Sequence, residues 1–265
     1  MKEATRIESH TQDTSPAWSI TRAALLEGLK TVSGVVESSQ ILHILSHVQL
    51  IAHDDHLQLV TSDSEVELWA NASLTQPIST PCKLAVSCRK LMDVCRTLPQ
   101  DACLDFKVSK GWLTIRSGKT QFKLATLSAD QFPLLPDLDT ADSVTLSEDL
   151  LRKGLQKTHF SMAHQDVRFF LNGLFLQIRS GQMILTATDG HRLARFEMPL
   201  ESASELEGLI VPRKAVLELL RLMKERNSAV QLLISKHHMR VETQEMTRIT
   251  NLLEGQYPPC DRLLD

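Results

Sequence analysis

The sequence predicts an α+β protein built as two tandem copies of one unit, each with two helices packed on antiparallel sheets. Three observations lead to this fold class. Four pairs of similar segments recur in the same order, helical apolar stripes occur twice in each half, and short alternating runs lie between the stripes.

The repeat has a period of about 125 residues. Segments 57–63 and 183–189 lie 126 positions apart, and each ends an alternating run with aspartate. The other matched pairs are 20–29 with 146–155, Arg89-Lys90 with Arg213-Lys214, and Gln131-Phe132-Pro133 with Gln256-Tyr257-Pro258. Because a unit of this length suits one ordinary domain, we divide the chain into a flexible extension (1–17), a first domain (18–138) and a second domain (139–265).

Local patterns place the elements of each unit. Helices are expected at 21–31, 87–98, 147–158 and 211–227. Ser147 is suited to cap the third helix, and Pro212 suits the first turn of the fourth. The alternating runs 112–116 and 174–178 predict antiparallel strands with one face in water. Each unit should therefore contain two helices and about eight strands.

Composition limits the class of protein. Hydrophobic residues make up 42% of the chain, yet no run approaches the roughly 20 apolar residues of a membrane helix. The polar N-terminus has no secretory apolar core. The five cysteines form no C-x-x-C pair and no zinc spacing, which indicates mostly buried, reduced thiols in a cytosolic protein. We expect no membrane association, metal or cofactor.

Basic residues are concentrated in the predicted helices. The four helices carry a net charge of +7, whereas the chain as a whole is −3, so the remaining residues sum to −10. If the helices share one surface, that surface attracts phosphates without reading base sequence. The alternative is that these basic side chains are ordinary solvent-exposed charges on the helix surfaces, with no role in binding.

Two segments bring aspartate and histidine together, at Asp166 after His164 and at Asp189 before His191. An enzyme would use one of these groups as a general base. No nucleophile elbow, phosphate loop, zinc motif or dinucleotide fingerprint accompanies them. Asp189-Gly190 at the end of a strand is more typical of a hairpin turn, so we predict no catalytic site.

Several segments resemble one known family. They are 160–173 (FSMAHQDVRFFLNG), 187–194 (ATDGHRLA), 210–214 (IVPRK) and 253–258 (LEGQYP), with weaker similarity at 88–99 and 115–118. Over about residues 18–265 the chain resembles the bacterial replicative sliding clamp, the beta subunit of DNA polymerase III. The resemblance implies DNA-clamp-type domains whose helices line a hole and whose sheets form the outer shell. The family's subunit has three such domains and two subunits close a ring, so these 265 residues represent only two domains and lack the third.

The resemblance implies contacts with double-stranded DNA. Arg89 and Gln165 match positions that touch DNA in the family, and Phe169 and Phe170 match positions that are typically aromatic. Together with basic residues of the helices, the expected DNA-binding set is Arg89, Lys90, Arg96, Gln165, Phe169, Phe170, Arg213 and Lys214. At Ser39 the first-domain loop departs from the family's pattern, so Ser39 is not counted among the expected DNA contacts.

The family also captures short linear peptides in a groove. The matching residues here are Leu171, Thr188, Gly190, His191, Arg192, Leu193, Pro258, Arg262 and Leu263. They supply one wall, and the family's third domain supplies the other. We therefore expect weakened peptide binding, since a half-groove buries less apolar surface. For Leu171 and Leu193, ordinary core packing is the alternative.

By resemblance, the chain is a non-enzymatic processivity factor of DNA replication, working with DNA polymerase III, other proteins with clamp-binding motifs and the clamp loader. It is expected in the bacterial cytoplasm, associated with the nucleoid. The alternative is a truncated, non-ring paralogue that regulates clamp partners or associates with a full-length clamp. A strand edge that includes Phe122 and Leu124 is expected to take part in assembly, and a homo-oligomer, such as a trimer of two-domain chains, remains open.

Overall fold

The structure, a computed structural model, describes residues 16–36, 42–136, 138, 142–200, 205–226 and 228–260. Within them lie four α-helices and sixteen β-strands. The helices are α1 (Arg22–Val32), α2 (Cys88–Thr97), α3 (Glu148–Thr158) and α4 (Arg213–Leu222). The strands of the first half are β1 (Ala17–Thr21), β2 (His47–His53), β3 (His56–Ser62), β4 (Val66–Ser73), β5 (Cys82–Ser87), β6 (Cys103–Ser109), β7 (Trp112–Ser117) and β8 (Thr120–Leu127). Those of the second half are β9 (Asp142–Ser147), β10 (Gly173–Arg179), β11 (Gln182–Thr188), β12 (Leu193–Pro199), β13 (Leu206–Pro212), β14 (Ala229–Ile234), β15 (His238–Glu242) and β16 (Met246–Asn251).

The strands form two antiparallel sheets. Twelve of them make one continuous sheet in the order β1-β6-β7-β8-β5-β2-β3-β4-β16-β15-β14-β9. The other four make a second sheet in the order β12-β11-β10-β13. Each half contributes two helices and eight strands, so the predicted α+β class is confirmed.

The sequence repeat is also a structural repeat. β3 and β11 begin 126 residues apart, as do α1 and α3, and α2 and α4 begin 125 residues apart. Each helix follows a strand directly, and the strand's last residue occupies the N-cap position. The same order of elements occurs in both halves, which indicates two copies of one folding unit.

The two units are joined by a strand pair that the sequence did not predict. β4 of the first unit pairs with β16 of the second, from Ala70 opposite Met246 to Val66 opposite Thr250. We call this junction the seam. Near it, the backbone at Gly34 approaches α4 so closely that a Cβ atom there would lie 2.6 Å from Nη2 of Arg221.

Helix α1 shows how the core of a unit is built. Leu25, Leu29 and Val32 recur on one face of the helix and are fully buried. That face packs on β4 and β3, where Gly28 lets the helix approach within contact of Leu59. Burial of each large aliphatic side chain contributes about 1.5–3 kcal/mol. The core therefore holds the helices against the sheet in a fixed position.

Helix α4 is shorter than predicted. It ends at Leu222 because Met223 is extended, with φ −67° and ψ 135°, and buried. The amide of Lys224 then donates to Oε1 of Glu148 on α3, at 3.0 Å, which turns the chain away from the helix axis. Local periodicity continues past Leu222, so only the contact with α3 reveals this end.

Two capping predictions also need correction. Ser147 does occupy the N-cap of α3, but its side chain makes no capping hydrogen bond. The amide of Glu148 donates instead to the carbonyl of Ser228, at 2.8 Å. Pro212 is the N-cap of α4 and the last residue of β13, so it lies before the first turn.

Some sequence predictions lie outside the described residues. They concern Ser39, Arg262, Leu263, most of the extension 1–17 and much of the segment between the two predicted domains. The limits of the two domains therefore stay a prediction. Within the described part of the chain no helix is long and apolar enough to cross a membrane. Of the five cysteines, Cys88, Cys95 and Cys260 are buried, Cys82 is half-buried and Cys103 is exposed.

Candidate functional site

A compact apolar cluster lies between β10, β13 and the segment around Tyr257. Its buried members are Ala163, Leu171, Ile210, Tyr257 and Cys260, and Phe170, Phe175, Leu193 and Leu253 pack on it half-buried. The ring of Tyr257 stacks on Phe175, with centroids 4.7 Å apart and planes 1° apart. We call this cluster the floor, because the predicted groove residues Leu171 and Leu193 belong to it.

The turn between β11 and β12, which we call the rim, carries the predicted groove residues Gly190, His191 and Arg192. Thr188 Oγ1 accepts from the amide of Gly190 at 3.0 Å and donates to the carbonyl of Arg192 at 2.7 Å. Asp189 Oδ1 accepts from the amides of His191 and Arg192, at 3.0 and 3.1 Å. Gly190 has φ +88°, a conformation that favours glycine. The predicted hairpin turn is therefore present, and its backbone is held rigidly.

Tyr257 connects the floor to the rim. The amide of Thr188 donates to its phenol oxygen at 2.9 Å, in a buried position. Burial raises the pKa of Tyr257 above its ordinary value, so the phenol stays neutral at physiological pH. A neutral, fixed hydroxyl at this point positions the end of β11 over the cluster.

Arginines surround both aspartates of this region. Arg168 donates from Nε and Nη2 to Asp166, at 3.1 and 2.8 Å, and from Nη2 to the carbonyl of Asp189 at 3.3 Å. These bonds lower the pKa of Asp166 to about 2. The amide of His191, followed by bonds from Arg192, lowers the pKa of Asp189. Both carboxylates are thus ionised and already paired, which suits a structural role better than general base catalysis.

The predicted groove residues come together at this site in different roles. Leu171 and Thr188 are buried, Leu193 and Pro258 are half-buried, and the side chains facing solvent belong to His191 and Arg192. The internal repeat had singled out Tyr257 through its match to Phe132, but the sequence had not assigned Phe175 or Ile210 to the groove. Both lie in alternating strands, where an apolar residue gives no sign of a groove floor.

The candidate DNA-binding residues lie on two parts of the molecule. Arg89, Lys90 and Arg96 are exposed on α2, with Arg96 Nη1 3.5 Å from Asp93 Oδ1. Ser87 begins this helix by accepting from the amide of Lys90 at 3.5 Å. The exposed charges point away from the core because the buried stripe of α2 faces the sheet.

The second part is the loop that follows α3. Gln165 is exposed and has φ +57°. Phe169 is 53% exposed and meets half-buried Phe170 edge to face, with ring centroids 5.9 Å apart. The loop is braced by Asn172, which exchanges two hydrogen bonds with the backbone of Asp166 at 2.9 and 3.0 Å.

Arg213 and Lys214 are already engaged within the protein. Nη1 of Arg213 donates to the carbonyl of Met162 at 3.1 Å. Nζ of Lys214 lies 2.5 Å from Oδ2 of Asp63, across the seam. Both side chains are half-buried, so their first role is to hold the second unit together and against the first.

The four helices form one layer, in the order α2-α1-α4-α3. α1 packs on α2, α3 packs on α4, and Arg221 of α4 donates to the carbonyls of Lys30 and Thr31 at the end of α1. With the observed boundaries the helices carry eleven basic and five acidic residues. The predicted helical excess of +7 becomes +6, because Lys224, Glu225 and Arg226 follow the end of α4. Lys224 and Arg226 both pair with Glu245. The layer nevertheless stays positive in a chain of net charge −3.

Comparison with known proteins gives consistent matches. A family model described as the N-terminal domain of the DNA polymerase III beta subunit matches residues 17–136, and one described as its central domain matches 145–259. The beta sliding clamp of Pseudomonas putida is 39% identical over 249 residues, which cover 93% of this chain and 67% of that protein.

Solved structures agree with these matches. A sliding clamp of Pseudomonas aeruginosa, DNA polymerase III subunit beta bound to griselimycin, superposes with a TM-score of 0.90 at 37% identity, over 95% of this chain and 68% of that one. A sliding clamp of Caulobacter crescentus superposes with a TM-score of 0.87 at 30% identity, over 95% and 69%. The chain spans about two thirds of the length of these relatives.

Proposed function

The chain belongs to the family of the DNA polymerase III beta subunit, the bacterial sliding clamp, and from that membership we propose that it helps to hold DNA polymerase III on DNA. In this role the chain catalyses no reaction. It acts in bacterial DNA replication, in the cytoplasm at the nucleoid, with the polymerase and the clamp loader as partners. The alternative, a regulatory binder of clamp partners, is an outcome of the tests below.

The observation that carries this proposal is the positive helical layer. Its helices carry eleven basic and five acidic residues, a net charge of +6, so the remaining residues of this −3 chain carry a net charge of −9. Such a layer contacts the phosphates of double-stranded DNA without reading its bases, which is the property a protein that slides on DNA requires. Exposed Arg89 and Lys90 on α2, and Gln165 and Phe169 on the loop after α3, are the proposed contacts.

The test is the salt dependence of DNA binding. We expect the affinity for a duplex of about 30 base pairs to fall steeply between 50 and 200 mM salt. Arg89→Ala and Lys90→Ala should each weaken binding and reduce the slope of log K against log salt by about one. Lys119→Ala, in the exposed turn between β7 and β8, is the matched control and should change neither quantity. Equal effects at all three positions would contradict a helical DNA face.

The groove on the second unit is the proposed site for clamp-binding peptides. Leu171 and Tyr257 supply a buried apolar floor, and the turn through Gly190 and Arg192 supplies a rigid rim. A peptide would place an apolar side chain near half-buried Leu193. The griselimycin complex of the Pseudomonas aeruginosa relative supports ligand binding by this family, although the matched chain is longer.

Calorimetry with a polymerase-derived clamp-binding peptide tests the groove. We expect Leu193→Ala to weaken peptide binding by at least about tenfold, because an apolar contact is lost, while DNA binding is unchanged. Leu134→Ala, which removes an exposed leucine from the first unit, should leave peptide affinity as it is. Peptide binding without DNA retention would favour the regulatory alternative, and the absence of both would refute the proposed function.

A further inference from the structure

A cavity of about 450 Å³ lies over the seam, on the face of the sheet opposite the helices. Leu68 of β4 belongs to the core beneath α1, so the side chains of its neighbours Glu67 and Trp69 lie on the other face. Cavities of this volume are typical of sites for small molecules. We call this cavity the seam pocket, and its lining residues are Glu67, Trp69, Leu134, Leu135, Arg240, Glu242, Thr247 and Ile249.

The floor of the seam pocket is built from both units. Two rows of cross-strand neighbours run over β4, β16 and β15. The first row is Glu67, Ile249 and Arg240, and the second is Trp69, Thr247 and Glu242. Directly paired residues of an antiparallel sheet lie on the same face, with Cβ atoms about 5 Å apart. The backbone hydrogen bonds of the seam therefore fix the relative positions of these six side chains.

The segment that follows β8 forms one wall of the seam pocket. Phe132 anchors this segment, because it is 5% exposed and belongs to a buried cluster on which Trp69 packs. The amide of Leu135 then donates to Oε2 of Glu67 at 2.8 Å. Leu134 is 41% exposed beside it. An apolar ligand in the pocket would gain contact with two leucines and one indole ring.

Glu67 is the most deeply buried polar group of the lining, at 1% exposure. Its Oε1 accepts from Nε1 of Trp69, and its Oε2 accepts from the amide of Leu135. Burial raises the pKa of Glu67 above its ordinary value, although both hydrogen bonds act in the opposite direction. A cation placed near Glu67 would therefore stabilise the ionised carboxylate.

The charged groups of the lining sum to −1. Glu67 and Glu242 supply two negative charges, and Arg240 supplies one positive charge. Nη1 of Arg240 lies 3.5 Å from Oε1 of Glu242. The next residues along the two rows are neutral, namely Val60 and Ser62 on β3, and Gln231 and Leu233 on β14. The charge of the pocket itself therefore decides its preference, which is for a cation over an anion.

We propose that the seam pocket binds a small organic cation, with an apolar body of about one aromatic ring and a single ammonium group. The body packs against Trp69, Leu134 and Leu135, and the carboxylates of Glu67 and Glu242 attract the ammonium group. Such a ligand touches both units and the segment after β8, so its binding stabilises the seam.

The seam pocket is separate from the sites of the proposed function. The proposed DNA contacts belong to the helical layer and to the loop after α3, and the floor of the peptide groove belongs to the second unit. Loss of DNA or peptide binding would leave the seam pocket intact. Equally, a seam pocket that binds nothing would leave the proposed function untouched.

Three probes of nearly equal shape test the charge preference at pH 7, namely 2-phenylethylamine, 2-phenylethanol and phenylacetate. NMR follows the indole N–H of Trp69 in the 265-residue chain, with Trp69→Phe used to identify its signal. We expect 2-phenylethylamine to bind with a Kd of about 1 mM, which suits a ligand of this size. The neutral and anionic probes should bind at least about fivefold more weakly.

Two charge variants have opposite expected effects on the affinity for 2-phenylethylamine. Glu242→Gln removes an attractive carboxylate and should weaken binding at least about threefold, whereas Arg240→Gln removes a repulsive guanidinium and should strengthen it by about the same factor. Leu134→Ala should also weaken binding, because an apolar contact is lost. Glu207→Gln, at an exposed carboxylate of β13, is the matched control and should leave the affinity unchanged.

Four results would overturn the proposal. The first two are an unmoved Trp69 signal up to about 20 mM amine, and phenylacetate binding as tight as that of the amine. The third is weaker binding in Arg240→Gln while the NMR spectrum shows that variant folded, since charge would then not set the preference. The fourth is an equal shift of the Trp18, Trp69 and Trp112 signals, which would indicate adsorption without a site.

Discussion

Replacement of Tyr257 by phenylalanine isolates one hydrogen bond between the floor and the rim of the groove. The phenol oxygen accepts from the buried amide of Thr188 at 2.9 Å, and the ring stacks on Phe175. Phenylalanine keeps the ring and its stacking partner, and it is also the residue found at the corresponding position of the first unit, Phe132. The substitution therefore removes an acceptor and little else.

The magnitude follows from the burial of the donor. Thr188 is 7% exposed, so its amide cannot turn to water when the phenol is removed. A buried donor without a partner costs about 1–3 kcal/mol. We expect the free energy of unfolding of the second unit to fall by that amount, and the turn that begins at Thr188 to open more often.

Urea unfolding and native-state hydrogen exchange measure these two effects. Tyr257→Phe should lower the unfolding midpoint, and the amide of Thr188 should exchange at least about fivefold faster, the factor that 1 kcal/mol corresponds to. Gln256→Ala, at an exposed neighbour, is the control. If the Thr188 amide keeps its protection and the midpoint is unchanged, the hydrogen bond does not hold the rim.

Three further predictions concern charge and burial. Arg168 lowers the pKa of Asp166 to about 2, so the ion pair is intact at neutral pH and is lost only as pH falls through about 2. In Arg168→Ala, carboxyl NMR should show the pKa of Asp166 near its ordinary value of about 4. An unchanged pKa of Asp166 in this variant would exclude Arg168 as the cause of the shift. Burial lowers the pKa of Arg248 to about 9, and its Nε and Nη1 have no hydrogen-bond partner among the described residues, so the stability of the wild-type protein should rise with pH above about 9. Arg248→Met should raise the free energy of unfolding at pH 7 by about 1 kcal/mol, because it removes the buried charge. A less stable variant would show that other groups compensate this charge well. Exposed Cys103 should react with a thiol reagent in the native protein. Burial raises the pKa of Cys88 to about 12, so Cys88 should react only after unfolding, and equal reaction rates of the two thiols in the native protein would contradict the described burial.

Much of the fold follows from local sequence patterns. The helical stripe of Leu25 and Leu29, and the alternation of strands such as β10, identify elements because side-chain periodicity reports which face is buried. Asp189-Gly190 identifies a turn because glycine adopts the required positive φ at little cost. Repetition of these signals at a spacing of about 125 residues determined, without coordinates, that the chain is two copies of one unit.

The tertiary structure alone decided how those elements meet. No local pattern shows that β4 pairs with β16, that Tyr257 reaches the amide of Thr188, or that Lys214 is held by Asp63. In each case the partners lie far apart in the sequence, and their contact depends on the packing of whole units. Sequence thus determined the elements and their repetition, because these depend on neighbours along the chain, whereas the seam and the groove depend on surfaces that exist only after folding.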